Sequence, residues 1–207
     1  MNRQEKTLRA QICQVGKILA EKGLIVASDG NISVRLNKSN LLITPTGLDK
    51  GKLKQTGILR IGINSELINL KTRPLPSSEV KMHRAIYQNR ADIKAVIHAH
   101  PVYATALASA QTCVKTNALN WMENLAEIKP TIGKISLLGD LAPGSDELAY
   151  AVGEAMKESN VVLLPRHGIV AAGKDLDQAR YAVERIELAA KLWFLTEQFN
   201  RLRFNDQ

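Results

Sequence analysis

The sequence predicts a single α/β domain, because segments with helical periodicity and apolar strand-like segments alternate along its 207 residues. No internal repeat, low-complexity stretch or clear linker interrupts them. A chain of this length can bury one sizeable core. Its hydrophobic share of 45% and charged share of 23% are ordinary for a globular protein. We therefore treat residues 1–207 as one domain.

Five segments predict helices. Residues 5–22 and 175–199 repeat apolar side chains at intervals of three or four, and Gly23 is a natural stop for the first of them. Another helix starts in "PSSEVKMHRAIYQNR", where Pro76 leads and Glu79 falls in the first turn. The remaining two are "PVYATALASA" and "DELAYAVGEAMKES".

Strands are predicted between these helices. "LIVASDGNISVRL" favours a strand, a turn at residues 28–31 and a second strand, and "LLITPTGLDKG" favours a strand that ends in a turn. Residues 57–72 favour two short strands around "GINSE". "IKAVIHAH" is typical of a buried strand, and "NVVLLPRHGIVAAG" is also strand-like.

Composition argues against nucleic-acid and membrane partners. The net charge is +8, but the basic residues are scattered, and aromatic residues are only 4% of the chain, too few for a base-stacking platform. A phosphorylated small molecule suits the same charge. No apolar run approaches the roughly 18–20 residues that cross a bilayer, and no signal-peptide core is visible, so we expect a cytoplasmic protein. Cys13 and Cys113 form no metal or redox motif and are expected to be reduced thiols.

Two of the four histidines are two residues apart at the end of an apolar run, in "IHAHP". Alternate residues of a strand face the same side, so His98 and His100 point together, the geometry that two imidazoles need to hold one metal ion. His167 in "LLPRHGIVAAG" also ends an apolar strand, beside a glycine that permits close backbone approach. Three histidines at strand ends suit a catalytic zinc-like site with one open position. His83 lies in a predicted helix and is interpreted as a surface or structural residue.

Three turns rich in small residues, "SDGN", "TPTG" and "PSSE", lie between strands or at a helix start. Backbone N–H groups, small hydroxyls and a helix N-terminus together can hold a phosphate. Each turn alone would be an ordinary turn. Their combination with the paired histidines makes a phosphate site a reasonable hypothesis.

These motifs resemble the class II aldolase/adducin family. The matching segments follow the family order and span most of residues 5–195; they are "SDGNISVR", "LLITPTG", "PSSEVKMHRAIYQNRADIKAVIHAHPVYATALA", "APGSDELA" and "LLPRHGIVAAGKDLDQARYAVERIELAAKLWF". The resemblance implies a three-layer α/β/α domain around a largely antiparallel central sheet. It also implies a homotetramer with active sites at subunit interfaces.

The resemblance further implies a role for each motif. It assigns Zn²⁺, with Mn²⁺ or Co²⁺ as alternatives, to His98, His100 and His167. It assigns the catalytic acid/base to Glu79. It assigns the phosphate of the substrate to six positions: Gly30, Asn31, Thr46, Gly47, Ser77 and Ser78.

The aldolases of the family reversibly cleave a ketose 1-phosphate, such as L-fuculose 1-phosphate, into dihydroxyacetone phosphate and a short aldehyde, and the resemblance implies this reaction here. The alternatives are an L-ribulose-5-phosphate 4-epimerase, which tends to carry Asp where Glu79 stands, and an aldolase or dehydratase for 5-deoxyribulose or methylthioribulose 1-phosphate. An adducin-like protein-binding module would lack the metal ligands. The identity of the aldehyde and of the metal in the cell stays open.

The chain departs from the family pattern at two places. Where the aldolase has a tyrosine that serves as proton donor to the leaving oxygen, the nearest match is Trp121 in "NALNWMENL". An indole N–H donates but does not titrate. Asp29 also stands where the aldolase commonly has a small residue. The first departure leaves the proton donor unidentified.

Overall fold

The computed structural model describes residues 1–64, 74–111 and 117–205, with side chains described through residue 202. Within these ranges the chain forms helices and strands in the following order: α1 (Arg3–Glu21), β1 (Asn31–Arg35), β2 (Asn40–Ile43), β3 (Leu59–Gly62), α2 (Val80–Asn89), β4 (Ala95–Ala99), α3 (Val102–Gln111), α4 (Ala118–Glu123), β5 (Ile135–Leu137), α5 (Asp146–Ala155), β6 (Val161–Leu164), β7 (Gly168–Gly173) and α6 (Leu176–Asn205). Two short 3-10 helices, Lys50–Lys52 and Gln55–Gly57, precede β3.

The seven strands form one sheet in the order β3-β2-β1-β4-β7-β6-β5. Every neighbouring pair is antiparallel except β5 and β6. The central strands β4 and β7 are buried along their whole length. This confirms the predicted α/β fold with a largely antiparallel sheet.

Helices cover both faces of the sheet. One apolar cluster joins α1, α3, α4 and α6 to one face, and Ile97 of β4 belongs to it. The other cluster joins α2 and α5 to the opposite face, and Val96 of β4 belongs to it. Adjacent strand residues thus pack into different clusters, as the alternation of side chains along a strand requires. The result is the three-layer arrangement that the resemblance implied.

Residues 24–27 are not the strand that their apolar character suggested. The backbone N–H groups of Leu24 and Ile25 both donate to the carbonyl oxygen of Leu19, at 2.9 and 3.4 Å. The segment therefore follows the end of α1 and buries Leu24 and Ile25, but not Val26, without joining the sheet. Gly23 supplies the left-handed conformation that this ending needs, with φ of +69°.

Two predictions of the sequence fall partly outside the described residues. Of the two strands expected in residues 57–72, β3 is observed, and residues 65–73 lie outside the description. Cys113 also lies outside it, whereas Cys13 is a half-buried free thiol. In the described ranges, no helix combines the length and apolar character that crossing a membrane requires.

Candidate active site

The three candidate metal ligands meet where β4 ends and β7 begins. His98 lies on β4, opposite Asn31 of β1 and Val170 of β7, and His100 follows just after the strand. His167 lies in the turn between β6 and β7. One nitrogen atom from each of the three rings lies within 4.8 Å of the other two. The antiparallel pairing of β4 with β7 thus brings together residues that are about 70 positions apart in the sequence.

Gly168 permits this close approach. A Cβ atom at residue 168 would lie 2.3 Å from the carbonyl oxygen of Ala99 and 2.8 Å from Cδ2 of His100. A larger residue would therefore displace either the backbone of β4 or the His100 ring.

Arg166, two residues before Gly168, adopts φ of +56°, which is uncommon for a residue other than glycine. Its N–H donates to Oγ of Ser109 at 2.8 Å, which anchors the turn to α3.

The hydrogen bonds of His98 determine which of its nitrogens is free. Its Nδ1 lies 2.9 Å from the carbonyl oxygen of Ile169, and a carbonyl only accepts, so Nδ1 carries a proton. In the neutral ring Nε2 then presents a lone pair. That atom faces Nε2 of His100 at 2.9 Å and Oε2 of Glu79 at 3.0 Å. Electron-rich atoms therefore converge, and a proton or a metal ion between them is needed to stabilise the arrangement.

These residues fit a divalent metal ion. Imidazole nitrogens are ligands that zinc and related divalent metals accept, and three of them leave a position open for substrate. A metal-binding histidine commonly donates its second N–H to a backbone carbonyl, as His98 does to Ile169. Among the described residues, the buried Nδ1 of His167 has no hydrogen-bond partner. The residues His98, His100 and His167 could therefore hold a metal ion.

Glu79 faces the histidine cluster from the start of α2. It is the N-cap residue, not a member of the first turn, and its side chain makes no capping hydrogen bond. Its Oε2 lies 3.0 Å from Nε2 of His98, and its Oε1 lies 3.1 Å from Nε2 of His167. Nδ2 of Asn31 donates to Oε2 at 2.9 Å. Burial opposes ionisation, but the contacts with His167, His98 and Asn31 outweigh it and hold the pKa of Glu79 well below its ordinary value.

The three turns rich in small residues lie side by side in the structure. The N–H of Ile32, beside the first turn, donates to Oγ1 of Thr44, at the start of the second, at 3.1 Å. The N–H of Thr46 donates to the carbonyl oxygen of Leu75, just before the third turn, at 3.0 Å. The first turn also touches the histidine cluster, because a Cβ atom at Gly30 would lie 2.6 Å from the carbonyl oxygen of His98. The three turns and the histidines therefore form one continuous region.

The six predicted phosphate-binding residues differ in what they present to solvent. Three are exposed and open to a ligand: Thr46, Gly47 and Ser78. Gly30 is half-buried. Ser77 is buried, and its Oγ accepts a hydrogen bond from the N–H of Glu79 at 3.3 Å. The buried amide of Asn31 contacts Glu79 directly. Asn31 thus contacts the carboxylate of Glu79 and Ser77 contacts its backbone, while Thr46, Gly47 and Ser78 are accessible to a ligand.

Lys50 is hydrogen-bonded to backbone atoms in the first of these turns and next to the second. Its side chain is 1% exposed, and Nζ donates to the carbonyl oxygens of Ser28 and Leu48 at 2.7 and 2.8 Å. Its backbone N–H donates to the carbonyl oxygen of Ala27 at 3.0 Å. Burial lowers the pKa of Lys50. The sequence contained no signal for this contact, because a lysine is ordinarily exposed and its partners here are backbone atoms.

Comparison with known proteins assigns the family. The model for the class II aldolase and adducin N-terminal domain matches residues 10–194. The chain belongs to the class II aldolase and adducin family. The predicted family membership is thus confirmed.

Similar proteins of this family include enzymes of two kinds. An L-fuculose phosphate aldolase of Methanococcus maripaludis is 34% identical over 186 residues, which are 89% of this chain and 95% of that protein. A 3-oxo-tetronate 4-phosphate decarboxylase of Haemophilus influenzae is 32% identical over 191 residues, which are 92% of this chain and 88% of that protein. A sugar-phosphate aldolase structure from Thermotoga maritima has a TM-score of 0.80 and 27% identity and covers 96% of this chain and 97% of its own. A decarboxylase was not among the reactions that the sequence motifs predicted.

These similarities make the protein a class II aldolase-type enzyme, and class II aldolases are metal-dependent. The histidine cluster is the place in the described residues where such a metal could bind. The family also points to a phosphorylated sugar substrate. The adducin-like, non-enzymatic alternative therefore does not apply to this protein.

His83 is fully buried, so its interpretation as a surface residue was wrong. Its Nε2 lies 2.5 Å from Oδ1 of Asn31, and its Nδ1 lies 2.6 Å from Oγ of Ser33. A signal was present in the sequence: Glu79 and His83 are four residues apart, which places them on one side of a helix. The ring lies behind the site and touches Glu79 only through Asn31.

Trp121 packs within its own chain. It lies on α4, and its ring centroid is 5.4 Å from that of Trp193 on α6. The indole also packs against the apolar cluster that joins α1, α3, α4 and α6 to the sheet. These contacts hold it in place. Trp121, the nearest match to the family tyrosine, therefore packs against Trp193 and provides no titrating hydroxyl.

Proposed function

We propose that the protein is a metal-dependent aldolase that reversibly cleaves a ketose 1-phosphate into dihydroxyacetone phosphate and a short aldehyde. The observation that supports this most strongly is the position of the Glu79 carboxylate, within 3.1 Å of both His98 and His167. A carboxylate beside a metal-binding cluster and beside three small-residue turns can exchange a proton with a carbon atom of a bound sugar phosphate.

We assign the metal to His98, His100 and His167, and we propose Zn²⁺, with Mn²⁺ or Co²⁺ as alternatives. When bound, such an ion acts as a Lewis acid and stabilises the negative charge that develops as the carbon–carbon bond breaks. The carbonyl of Ile169 and the packing of Gly168 hold His98 and His100 in place for this role.

Glu79 is proposed as the acid/base. In the cleavage direction the hydroxyl on C4 gives its proton to the ionised Glu79 carboxylate as the bond between C3 and C4 breaks; C4 leaves as the aldehyde, and the electron pair stays on the three-carbon phosphate as an enediolate. Glu79 then delivers a proton to C3, which yields dihydroxyacetone phosphate. In the synthesis direction the same carboxylate removes that proton. Contacts from Asn31 and Ser77 fix Glu79 for this transfer.

The phosphate is proposed to bind at the three turns, through Gly30, Asn31, Thr46, Gly47, Ser77 and Ser78. The exposure of Thr46, Gly47 and Ser78 supports direct contact with the phosphate at these three residues. Asn31 and Ser77 contribute mainly by orienting Glu79, since their side chains are already engaged with it.

Decarboxylation of a 3-oxo acid phosphate is the second candidate. Loss of carbon dioxide from a 3-oxo-tetronate 4-phosphate leaves the enediolate of dihydroxyacetone phosphate, the same species that aldol cleavage generates. The same cluster and the same Glu79 would therefore serve both reactions. Trp121 favours this candidate, because cleavage to carbon dioxide requires no proton transfer at a C4 hydroxyl and so no tyrosine. The similarity to a decarboxylase over 92% of the chain supports it as well.

We also propose that the enzyme is a homotetramer with its sites at subunit interfaces. One side of α6 supports assembly, because five exposed large apolar side chains share it by their helical spacing: Leu188, Leu192, Leu195, Phe199 and Leu202. Exposed patches of this kind mark interaction surfaces. Light scattering should give a multiple of the 22.8 kDa chain mass; a monomer at all concentrations would contradict the proposal. Because its substrate is a sugar phosphate, we place the enzyme in the cytoplasm.

A substrate panel tests the reaction. It contains L-fuculose 1-phosphate, 5-deoxyribulose 1-phosphate, methylthioribulose 1-phosphate, 3-oxo-tetronate 4-phosphate and L-ribulose 5-phosphate. Release of dihydroxyacetone phosphate together with an aldehyde supports the aldolase, and its release with carbon dioxide supports the decarboxylase. Xylulose 5-phosphate without triose phosphate would mean an epimerase, and loss of water from methylthioribulose 1-phosphate would mean a dehydratase.

Two variants test the residue assignments in the same panel. Glu79→Gln keeps the size of the side chain but cannot exchange a proton, so turnover should fall by about two to four orders of magnitude with metal content retained. His98→Ala should lose the metal, which elemental analysis of the purified protein measures. Near wild-type cleavage by Glu79→Gln, or an unchanged metal content in His98→Ala, would contradict the corresponding assignment.

A further inference from the structure

We propose that His83 is a positioning residue that holds the amide of Asn31 so that its N–H group faces the Glu79 carboxylate. This inference rests on the proposed role of Glu79 as the acid/base. The described hydrogen bonds of the His83 side chain reach two residues, Ser33 and Asn31. Of these two, only Asn31 belongs to the groups assigned to substrate, and neither belongs to the histidine cluster. Its effect on the reaction would therefore pass through Asn31.

A chain of buried hydrogen bonds leads to the carboxylate. From the far end, the hydroxyl of Tyr87 lies 2.8 Å from Oγ of Ser33, and that Oγ lies 2.6 Å from Nδ1 of His83. Nε2 of His83 lies 2.5 Å from Oδ1 of Asn31, and Nδ2 of Asn31 lies 2.9 Å from Oε2 of Glu79. All five residues are buried, with exposures between 0 and 6%. Exchange with water therefore cannot substitute for any of these contacts.

The direction of each hydrogen bond follows from its two ends. An ionised carboxylate only accepts, so the Asn31 amide must turn its N–H₂ group toward Glu79 and its oxygen toward His83. That oxygen also only accepts, so Nε2 of His83 must donate. Complete burial lowers the pKa of His83 to about 3, so the ring is neutral and its Nδ1 must accept. Ser33 then donates to His83 and accepts from Tyr87.

Strand β1 and helix α2 place this series of hydrogen bonds between the sheet and the helix. Glu79, His83 and Tyr87 are spaced by four along one side of α2, and Asn31 and Ser33 are alternate residues of β1. The surrounding residues of this layer are apolar, and they include Ile86, which is fully buried. A polar group left without a partner here would lower the stability of the protein, so the series of hydrogen bonds has one favourable arrangement.

Removal of the His83 donor would release the Asn31 amide. Its oxygen would then lack a donor, and the amide could rotate by half a turn. In the rotated state the amide oxygen would face the Glu79 carboxylate, and two electron-rich groups would repel each other. The carboxylate would move from the position that the contact with Asn31 fixes. A proton transfer to carbon depends strongly on such positioning.

Matched variants separate positioning from stability. His83→Leu fills the space but donates nothing, and His83→Gln keeps an N–H₂ donor near the place of Nε2. Ile86→Ala, on the same helix, creates a cavity but removes none of these hydrogen bonds. We expect His83→Leu to lower kcat by about 10–100-fold with little change in KM, as for other partners that orient active-site groups. His83→Gln should recover most of kcat, and Ile86→Ala should keep it despite lower stability.

A double-mutant cycle tests whether the effect passes through Asn31. In an Asn31→Ala background, His83→Leu should lower kcat no further, because the group through which it acts is absent. Equal losses of kcat in His83→Leu and Ile86→Ala, or additive effects in the cycle, would overturn the proposal. So would wild-type kcat in His83→Leu.

A spectroscopic measurement keeps this inference separate from the proposed reaction. Nitrogen-15 NMR of the ring should show the His83 proton on Nε2 and a bare Nδ1 in the wild-type enzyme at neutral pH. A proton on Nδ1 would overturn the inference whatever the enzyme catalyses. If the enzyme instead released no dihydroxyacetone phosphate from any substrate in the panel, the proposed function would fail while the NMR result still decided the orientation of Asn31.

Discussion

The complete burial of His83 should make the stability of the protein depend on pH. The ring is 0% exposed and has a pKa of about 3, against 6.5 for a histidine in the unfolded chain. Glu79 raises this pKa and His98 lowers it, but burial is the dominant cause. Replacement of His83 by glutamine, which does not titrate, should remove this part of the pH dependence.

The sign and size follow from proton linkage. Between pH 3 and 6.5 the unfolded chain binds a proton at residue 83 and the folded protein does not, so stability rises with pH across this window. The contribution is fully present above pH 6.5 and is lost as the pH falls toward 3. At pH 5 the linkage relation gives a loss of about 2 kcal/mol relative to pH 8. This is a large part of the roughly 5–15 kcal/mol that stabilises a typical domain.

Urea unfolding at pH 8 and pH 5, followed by circular dichroism, measures the effect in metal-free protein. The wild type should lose about 2 kcal/mol more than His83→Gln between these two pH values. Burial also lowers the pKa of His100, to about 4, so this ring contributes a loss of the same sign. That contribution is common to both proteins and cancels in the comparison. An equal loss in wild type and His83→Gln would refute the argument, because the ring would then be protonated in the folded state or exposed to water.

Three further substitutions test other contacts of the structure. Gly168→Ala places a Cβ atom 2.3 Å from the carbonyl oxygen of Ala99, so metal content after purification should fall as His100 is displaced; full occupancy would contradict the close approach. Lys50→Met removes two hydrogen bonds and leaves the carbonyl oxygens of Ser28 and Leu48 without their partner. The free energy of unfolding, measured in urea, should fall by about 2 kcal/mol or more, and KM for the phosphorylated substrate should rise. Gly153→Ala brings a Cβ atom to 2.9 Å from that of Ala85, between α5 and α2, and should lower the free energy of unfolding by about 1–3 kcal/mol. The control Gly139→Ala, with nothing within 4 Å of the added Cβ atom, should leave it unchanged. Equal stabilities of the two variants would show that the two helices can separate without cost.

Local periodicity accounts for the parts of the fold that could be predicted. The helical spacing of residues 5–22 and 175–199 produced α1 and α6, and the apolar run before His98 produced β4. The common orientation of His98 and His100 follows from alternation along a strand, a property of the backbone within a few residues. The need for a small residue after His167 was also visible locally, and the contact of Gly168 with Ala99 explains it.

Local patterns failed where a segment makes its main contacts with residues distant in the sequence. Residues 24–27 are apolar enough for a strand, but the N–H groups of Leu24 and Ile25 bond to Leu19 in α1, and the carbonyl oxygen of Leu24 accepts from the distant N–H of His100. Lys50 has the composition of a surface residue, yet it is buried because carbonyl groups of two turns surround its ammonium group. The environment of a polar side chain depends on which distant groups approach it, and spacing within one segment does not contain that information.

The sequence by itself determined the α/β class, the family and the identities of the three histidines that could hold a metal ion, and it predicted Glu79 as the residue that exchanges a proton. Only the tertiary structure decided how they act together. The pairing of β4 with β7 places His167 beside His98, and the packing of α2 on β1 buries His83 behind Asn31. The physical reason is that residue type sets which atoms can donate, accept or bind a metal, whereas distance, burial and hydrogen-bond direction are set by elements far apart in the chain.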